Sequence, residues 1–267
     1  MHQQELLNEI LNGNMRDKAF KKIIINADDF GLNPSCTEAI CKAFKNSLIT
    51  DTTMVANGTV FEEAVDYIQK YQLQGKVGIH FNLTEGKPLT ETIVTLPAFS
   101  KDGLFHGKIN RIKRLNSIEK KAVYEELSAQ IIKMEEVGIN VTHADSHHHI
   151  HTGIFIAPIF AKVCKEHGIK KVRLHRNIGS ISLVKKTVKK LYNCWLQIHD
   201  FETTTYFGSM EDVRQVGVMD NLEIMVHPEF DRNGTLIDKA DELEGCAVGK
   251  TLELPAGYYT LRGYKDL

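Results

Sequence analysis

Nine residues from His143 to His151, HADSHHHIH, hold five of the 12 histidines in a chain of 267 residues, together with the carboxylate Asp145. Imidazole is the commonest metal ligand and the one side chain whose ordinary titration falls near neutral pH. A window this dense in imidazole points to a metal site, to general acid/base work, or to both. A solvated polar loop is the competing reading. Against it, the window lies between a strand-like segment and a helix-like one, and α/β enzymes place their chemistry at the carboxyl ends of strands.

Other chemistry-bearing residues recur in similar positions. The apolar run Ile23–Ala27 ends in Asp28-Asp29-Phe30-Gly31. Two adjacent carboxylates at the end of a buried strand repel one another and lose solvation, which a cation or a shared proton relieves. They could instead only shape a turn, since Gly31, Asn33 and Pro34 are turn and helix-start residues. In Lys76–Thr84 the period is 2: Val77, Ile79, Phe81 and Leu83 take one face, and Gly78, His80, Asn82 and Thr84 the other. His80 therefore points away from the apolar face. Lys171–Arg176 alternates apolar residues with Arg173 and His175, and Leu222–His227 ends in His227 before Pro228. Within the cluster, His143, Asp145 and His147 share one parity if the extended backbone continues.

Such residues need elements to position them. Helical apolar spacing appears after each strand-like run: Ala39, Ile40, Ala43, Phe44; Phe61, Ala64, Val65, Ile68; Val123, Leu127, Ile131, Met134; Ile156, Ile159, Phe160, Val163; and a long helix over about 182–198. About seven strands alternating with helices predict an α/β fold, a distorted parallel (β/α) barrel over residues 22–267, read as one domain. Residues 2–19 read as a helical extension with Leu6, Leu7, Ile10 and Leu11 in one stripe, packing on the body of the domain or on a second copy in a homodimer. A shorter helix is expected near 240–246. Residues 85–116 form a long excursion of the kind that becomes a lid or binding loop.

The composition excludes several classes. With 33 basic and 34 acidic residues the formal net charge is −1, which points to neither nucleic acid nor an anionic membrane. The basic run Lys185–Lys190 is explained by a solvated helix face. The five cysteines (36, 41, 164, 194, 246) are scattered and form no CxxC pair, which argues for free thiols and against a cysteine-held zinc. No signal-peptide core or membrane-length apolar run is visible, so a cytoplasmic location is expected.

On a closed barrel the strand ends meet on one rim. One carboxylate and two imidazoles with open positions suit one divalent ion. A further carboxylate can accept a proton from water, and a histidine across the site can protonate a leaving group. This is metal-assisted hydrolysis of a carbonyl or a phosphoryl bond, without a choice between them. The combination ADDFG (27–31), GIHFNLTEGKPLT (78–90), DSHHHIH (145–151) and MVHPEFD (225–231), with GYYTLRGYKDL (257–267), resembles the YdjC-like carbohydrate deacetylase family. The resemblance implies a barrel related to polysaccharide deacetylases, a divalent metal (Mg²⁺ or Zn²⁺), and removal of the N-acetyl group from an acetylated amino sugar or chito-oligosaccharide. By motif it implies Asp29, His80 and His147 as metal ligands, Asp28 as base and His227 as acid. Asp28 and Asp29 could exchange roles with a small backbone rotation. Asp145 and His149 read as groups that orient ligands, and Arg173 or Arg176 as the holder of the base or the substrate. A phosphoesterase-like metallohydrolase and a non-catalytic sugar-binding protein are the alternatives.

Overall fold

The computed structural model describes residues 21–107, 109–239 and 259–267. In chain order the elements are β1 (Lys21–Phe30), α1 (Pro34–Lys45), β2 (Asp51–Met54), α2 (Phe61–Lys70), β3 (Val77–Phe81), α3 (Glu91–Val94), β4 (Ser100–Lys101), β5 (Leu104–Phe105), α4 (Ser117–Glu136) and β6 (Ala144–Ser146). A 3-10 turn, His147–Thr152, leads to α5 (Ala157–Glu166), α6 (Leu183–Ile198), β7 (Tyr206–Ser209), α7 (Met210–Val216) and β8 (Leu222–Val226). The hairpin β9 (Pro228–Phe230) and β10 (Leu236–Asp238) comes next, then β11 (Tyr259–Leu261). The expected helices over 2–19 and 240–246 lie outside the described residues.

The main sheet runs β6-β3-β2-β1-β8-β7 with every pairing parallel, and β11 adds to the start of β1. Single parallel bridges, Ala144 to Val172 and Lys171 to Glu202, carry the wall from β6 towards the segment that enters β7. The sheet thus curls into the distorted barrel that the alternation predicts. The expected strand over 171–176 is reduced to those bridges, and further along the backbone N–H and C=O of His175 pair with the side chain of Asn193 instead of a neighbouring strand. The reverse holds for Tyr259–Leu261, which pairs with β1 although its sequence reads as irregular.

The two faces of each strand differ in kind. Outward, Ile23, Ile25 and Ala27 of β1, Ile79 and Phe81 of β3, and Ile224 and Val226 of β8 pack in one core with Ile40 of α1, Ile68 of α2 and Leu127 and Ile131 of α4. Burying such a side chain contributes about 1.5–3 kcal/mol. Helix ends are specified locally: Asn33 Oδ1 accepts from Cys36 N at 3.1 Å ahead of Pro34, and Asn116 with Glu119 forms a capping box at α4. Inward, these strands with β2 and β6 present Asn26, Asp28, Thr53, His80, Asp145 and Glu223, all buried. Close approach makes this possible at Gly78, where a Cβ would lie 2.6 Å from the His143 ring.

The long excursion acquires structure of its own. It holds α3 and the β4–β5 hairpin, and buried Glu126 of α4 pins it by accepting from Leu89 N, Thr90 N and Thr90 Oγ1. Among the described residues, Cys36, Cys41, Cys164 and Cys194 are unpaired. No helix among them is long and apolar enough to cross a membrane.

Candidate active site

β1 separates its two aspartates by a register shift against β2 between Ala27 and Phe30. Asp29 adopts φ +74°, a left-handed conformation that Asp tolerates better than most residues. Such an irregularity re-aims side chains. Asp28 points into the barrel and is 2% exposed, whereas Asp29 points to the rim. One backbone bulge, which sequence periodicity does not reveal, thus sends the two neighbours to different places; Asp29 groups with His80 and His147, and Asp28 with His80 and Asp145, each set within reach of one ion.

At the rim, Asp29 Oδ1 lies 3.2 Å from His80 Nε2 and 2.7 Å from His147 Nδ1. One ligand atom from each of the three residues falls within 4.8 Å of the others. Each imidazole is held from behind by a second carboxylate: His80 Nδ1 is 2.6 Å from Asp145 Oδ1, and His147 Nε2 is 3.1 Å from Glu85 Oε2. His80 thus bridges two carboxylates, Asp145 at Nδ1 and Asp29 at Nε2, and its Nε2 would give up its proton to bind an ion. This carboxylate–imidazole backing orients metal-binding histidines generally. Burial would lower the His80 pKa, but Asp145 outweighs it and raises the group to about 10. For Asp29, burial acts upward and the hydrogen bonds from His147 and His80 hold the carboxyl well below its ordinary value. The donor set of one carboxylate and two imidazoles, beside three further carboxylates (Asp28, Asp145, Glu223) that meet the guanidinium of Arg173, fits a divalent cation.

Below the rim, Arg173 grips Asp28 with two hydrogen bonds, Nη1 to Oδ2 at 2.6 Å and Nη2 to Oδ1 at 2.7 Å. Asn26 Nδ2 donates to Asp28 Oδ1 at 2.9 Å. Burial pushes this carboxyl up, yet the Arg173 charge and hydrogen bonds overcome it and keep it well below the usual carboxylate range. Arg173 Nη1 also reaches Asp145 Oδ2 at 2.5 Å, tying the two carboxylates into one network. His227 approaches from β8, with Nε2 at 3.9 Å from Asp28 Oδ2 and its backbone N–H on Asp238 Oδ1. Its Nδ1 is buried with no hydrogen-bond partner among the described residues.

The cluster leaves the strand at Ser146, and His148 and His149 take left-handed backbone angles, φ +51° and +52°. Parity thus governs His143, Asp145 and His147 but not the residues after them. His143 is buried beneath the site, Nε2 at 3.0 Å from Asn26 Oδ1, and burial drives its pKa well down. His148 Nδ1 meets Thr84 Oγ1 at 3.0 Å. His149 makes no side-chain hydrogen bond to a ligand residue among those described. It lines the cavity edge-on to Phe207, its pKa lowered to about 3 by burial and by Arg173. Of the two arginines, Arg173 meets Asp28, while Arg176 turns away to Asp212. Glu85, Glu223, Thr53 and Arg111 carry no role that the sequence alone suggests. Glu223 had a visible signal, a carboxylate in the apolar run LEIMVH with the parity of His227.

The cavity over these groups has a volume of about 680 Å³, within the range of small-ligand sites, and Arg111 and Lys239 stand in its wall. Fold and site together define a parallel α/β barrel with a histidine–carboxylate centre at the carboxyl ends of its strands. The chain belongs to the YdjC-like protein family, which matches residues 22–254. Two relatives named "Carbohydrate deacetylase" are similar to it. One, from Listeria monocytogenes serotype 4b (strain CLIP80459), is 30% identical over 78% of this chain and 82% of its own length. The other, from Listeria welshimeri serovar 6b, is 31% identical with the same coverage. A crystal structure from Enterococcus faecalis V583, described as a candidate for cellobiose-phosphate cleavage, superposes with a TM-score of 0.62 at 25% identity. It covers 80% of this chain and 84% of the other.

Proposed function

We propose that this protein is a metal-dependent carbohydrate N-deacetylase that hydrolyses the acetamido group of an N-acetylated amino sugar. The observation that carries the reading is the placement of an acid–base pair, Asp28 and His227 3.9 Å apart, beside the Asp29–His80–His147 donor triad in one cavity. The relatives' names point the same way.

Each step is assigned to a residue. A divalent ion held by Asp29, His80 and His147 would supply Lewis-acid polarisation of the acetyl carbonyl and a more acidic water; two imidazole donors favour Zn²⁺ or a similar transition ion over Mg²⁺. Asp28, kept ionised by Arg173, accepts the proton as water attacks the carbonyl carbon. His227 delivers a proton to the nitrogen as the C–N bond breaks, because an amide nitrogen leaves only when protonated. The products are acetate and the free amino sugar. Asp145 and Glu85 hold the two imidazoles in register for the ion.

The test is acetate release from N-acetylated chito-oligosaccharides by the purified protein, before and after chelation and metal return. Acetate that appears only with metal supports the reading, and no acetate from any acetamido sugar sinks it. Elemental analysis supplies an independent check: His147→Ala should lose most of a bound ion that the wild type keeps at about one per chain. A second reading, phosphate-ester hydrolysis at the same centre, is favoured by Arg111 and Lys239 in the cavity wall. Inorganic phosphate released from a sugar phosphate without acetate would select it.

A further inference from the structure

We infer that Tyr264 and Glu223 are positioning residues for hydrolysis: from the floor of the barrel they fix the guanidinium of Arg173 and, through it, the carboxylate of Asp28. The catalytic part of this inference rests on the deacetylase reading. The Arg173 Nε–H donates to Glu223 Oε1 at 2.7 Å, and Tyr264 Oη donates to the other oxygen, Oε2, at 2.5 Å. The side chains of Arg173 and Tyr264 are fully buried, as is Glu223.

The end-on grip of Arg173 on Asp28 does not by itself fix the guanidinium. Its Nη1 is shared between Asp28 and Asp145, so small rotations of the fork trade one carboxylate for the other. The Nε contact to Glu223 lies on the opposite side and removes that freedom, while the Phe207 ring covers one face with its centroid 4.9 Å from Cζ. Glu223 is immobilised in turn by the Tyr264 hydroxyl. Tyr264 is itself anchored three ways. Its ring stacks on His143 at 3.7 Å, its N–H donates to Asp51 Oδ1 at 3.0 Å, and its carbonyl accepts from Lys171 Nζ at 2.7 Å.

A purely structural account leaves Glu223 unexplained. Asp28 and Asp145 already compensate the charge of Arg173, and a third buried carboxylate adds a desolvation cost. That cost is visible in Glu223, whose pKa burial raises to about 7 against the pull of Arg173. A group that fixes the orientation of the fork accounts for its presence. The placement of a reacting group to within about an ångström governs rates by up to about 10²-fold.

The experiment uses metal-loaded, full-length protein. Tyr264→Phe removes only the hydroxyl and keeps the stack on His143; Glu223→Ala removes the acceptor; Glu223→Gln restores an acceptor for Arg173 Nε. We expect Tyr264→Phe and Glu223→Ala to lower kcat by about 10- to 100-fold, with KM within about twofold and metal content unchanged. Glu223→Gln should recover most of the loss. In ¹⁵N-arginine spectra, solvent exchange of the Arg173 Nε–H should accelerate at least about tenfold in the first two variants and stay slow in Glu223→Gln. Wild-type kcat and exchange in Tyr264→Phe and Glu223→Ala would overturn the inference, as would losses confined to thermal stability. If the wild type releases no acetate, the deacetylase reading and the catalytic role fall together, and the exchange measurement still decides whether these residues fix Arg173.

Discussion

The outer and inner faces of the same strands follow opposite rules. Outside, Ile25, Ile79 and Ile224 meet helices through dispersion and solvent exclusion, and any residue of similar volume and shape serves nearly as well. Inside, Asn26, Asp28, His80, Asp145, Arg173 and Glu223 meet one another through directed hydrogen bonds whose donors and acceptors must match one by one. A point change outside is absorbed in proportion to volume. One inside propagates along the network, because it leaves a partner buried and unsatisfied. Apolar packing is therefore concentrated on one face of the sheet and the proposed chemistry on the other.

That contrast can be broken at its most directed point. Asp28→Asn keeps size and shape but removes the proposed proton acceptor, and acetate release should fall about 10²–10⁴-fold, with metal content preserved and a folded circular-dichroism spectrum. A variant with near wild-type turnover would show that the inner network is scaffold rather than machinery. The matching outer change, Ile79→Ala, should cost about 2–5 kcal/mol of unfolding free energy and leave kcat per folded molecule close to wild type. A collapse of kcat in the still-folded variant would show that the two faces are not separable.

A sharper version lies where the faces touch. Gly78→Ala puts a methyl group against the His143 ring and carbonyl, both 2.6 Å from the ideal Cβ. Overpacking of this kind costs about 1–3 kcal/mol or more, readable as a lower denaturant midpoint at unchanged m. A midpoint equal to wild type would mean that β3 and β6 can separate freely.

The smallest expected effect concerns Asp51, on the inner face below the site. Burial raises its pKa from 3.8 to about 6 in the folded state. The folded protein therefore holds this proton more tightly than the unfolded chain does. The resulting stabilisation is complete below about pH 4 and is lost as the pH rises through about 6. Above that range a carboxylate sits buried with Oδ2 unpartnered among the described residues. Asp51→Asn keeps an acceptor for Tyr264 N–H and should be more stable than wild type by about 1–2 kcal/mol at pH 8, the gap closing towards pH 4. A gap that widens as the pH falls would reverse the sign of the argument.

Much of this organisation can be read in the sequence. Period-2 alternation identifies which face of β3 carries His80, and the same rule brings Asp145 opposite it in register. The helices announce themselves through apolar spacing and caps. Periodicity fails where the backbone departs from it: at Asp29, whose positive φ parts two adjacent carboxylates, and at His148 and His149, where the strand becomes a left-handed turn. It fails again for contacts between distant segments. Nothing near Tyr264 in the sequence announces a bond to Glu223, and Glu85 reads as an ordinary loop residue until the fold brings it to His147.

The floor contributed by Tyr264 has a consequence for how the protein is made. During synthesis the residues that would hold a cation, Asp29, His80 and His147, and the pair Asp28 and Arg173 all leave the ribosome before Tyr264. A nascent chain carrying every one of them still lacks the group that seals the barrel from below and holds Glu223. If Tyr264 has the positioning role inferred above, vectorial synthesis delivers the reacting groups first and the residue that orients them later, and competence would arrive as a late assembly step rather than growing with chain length.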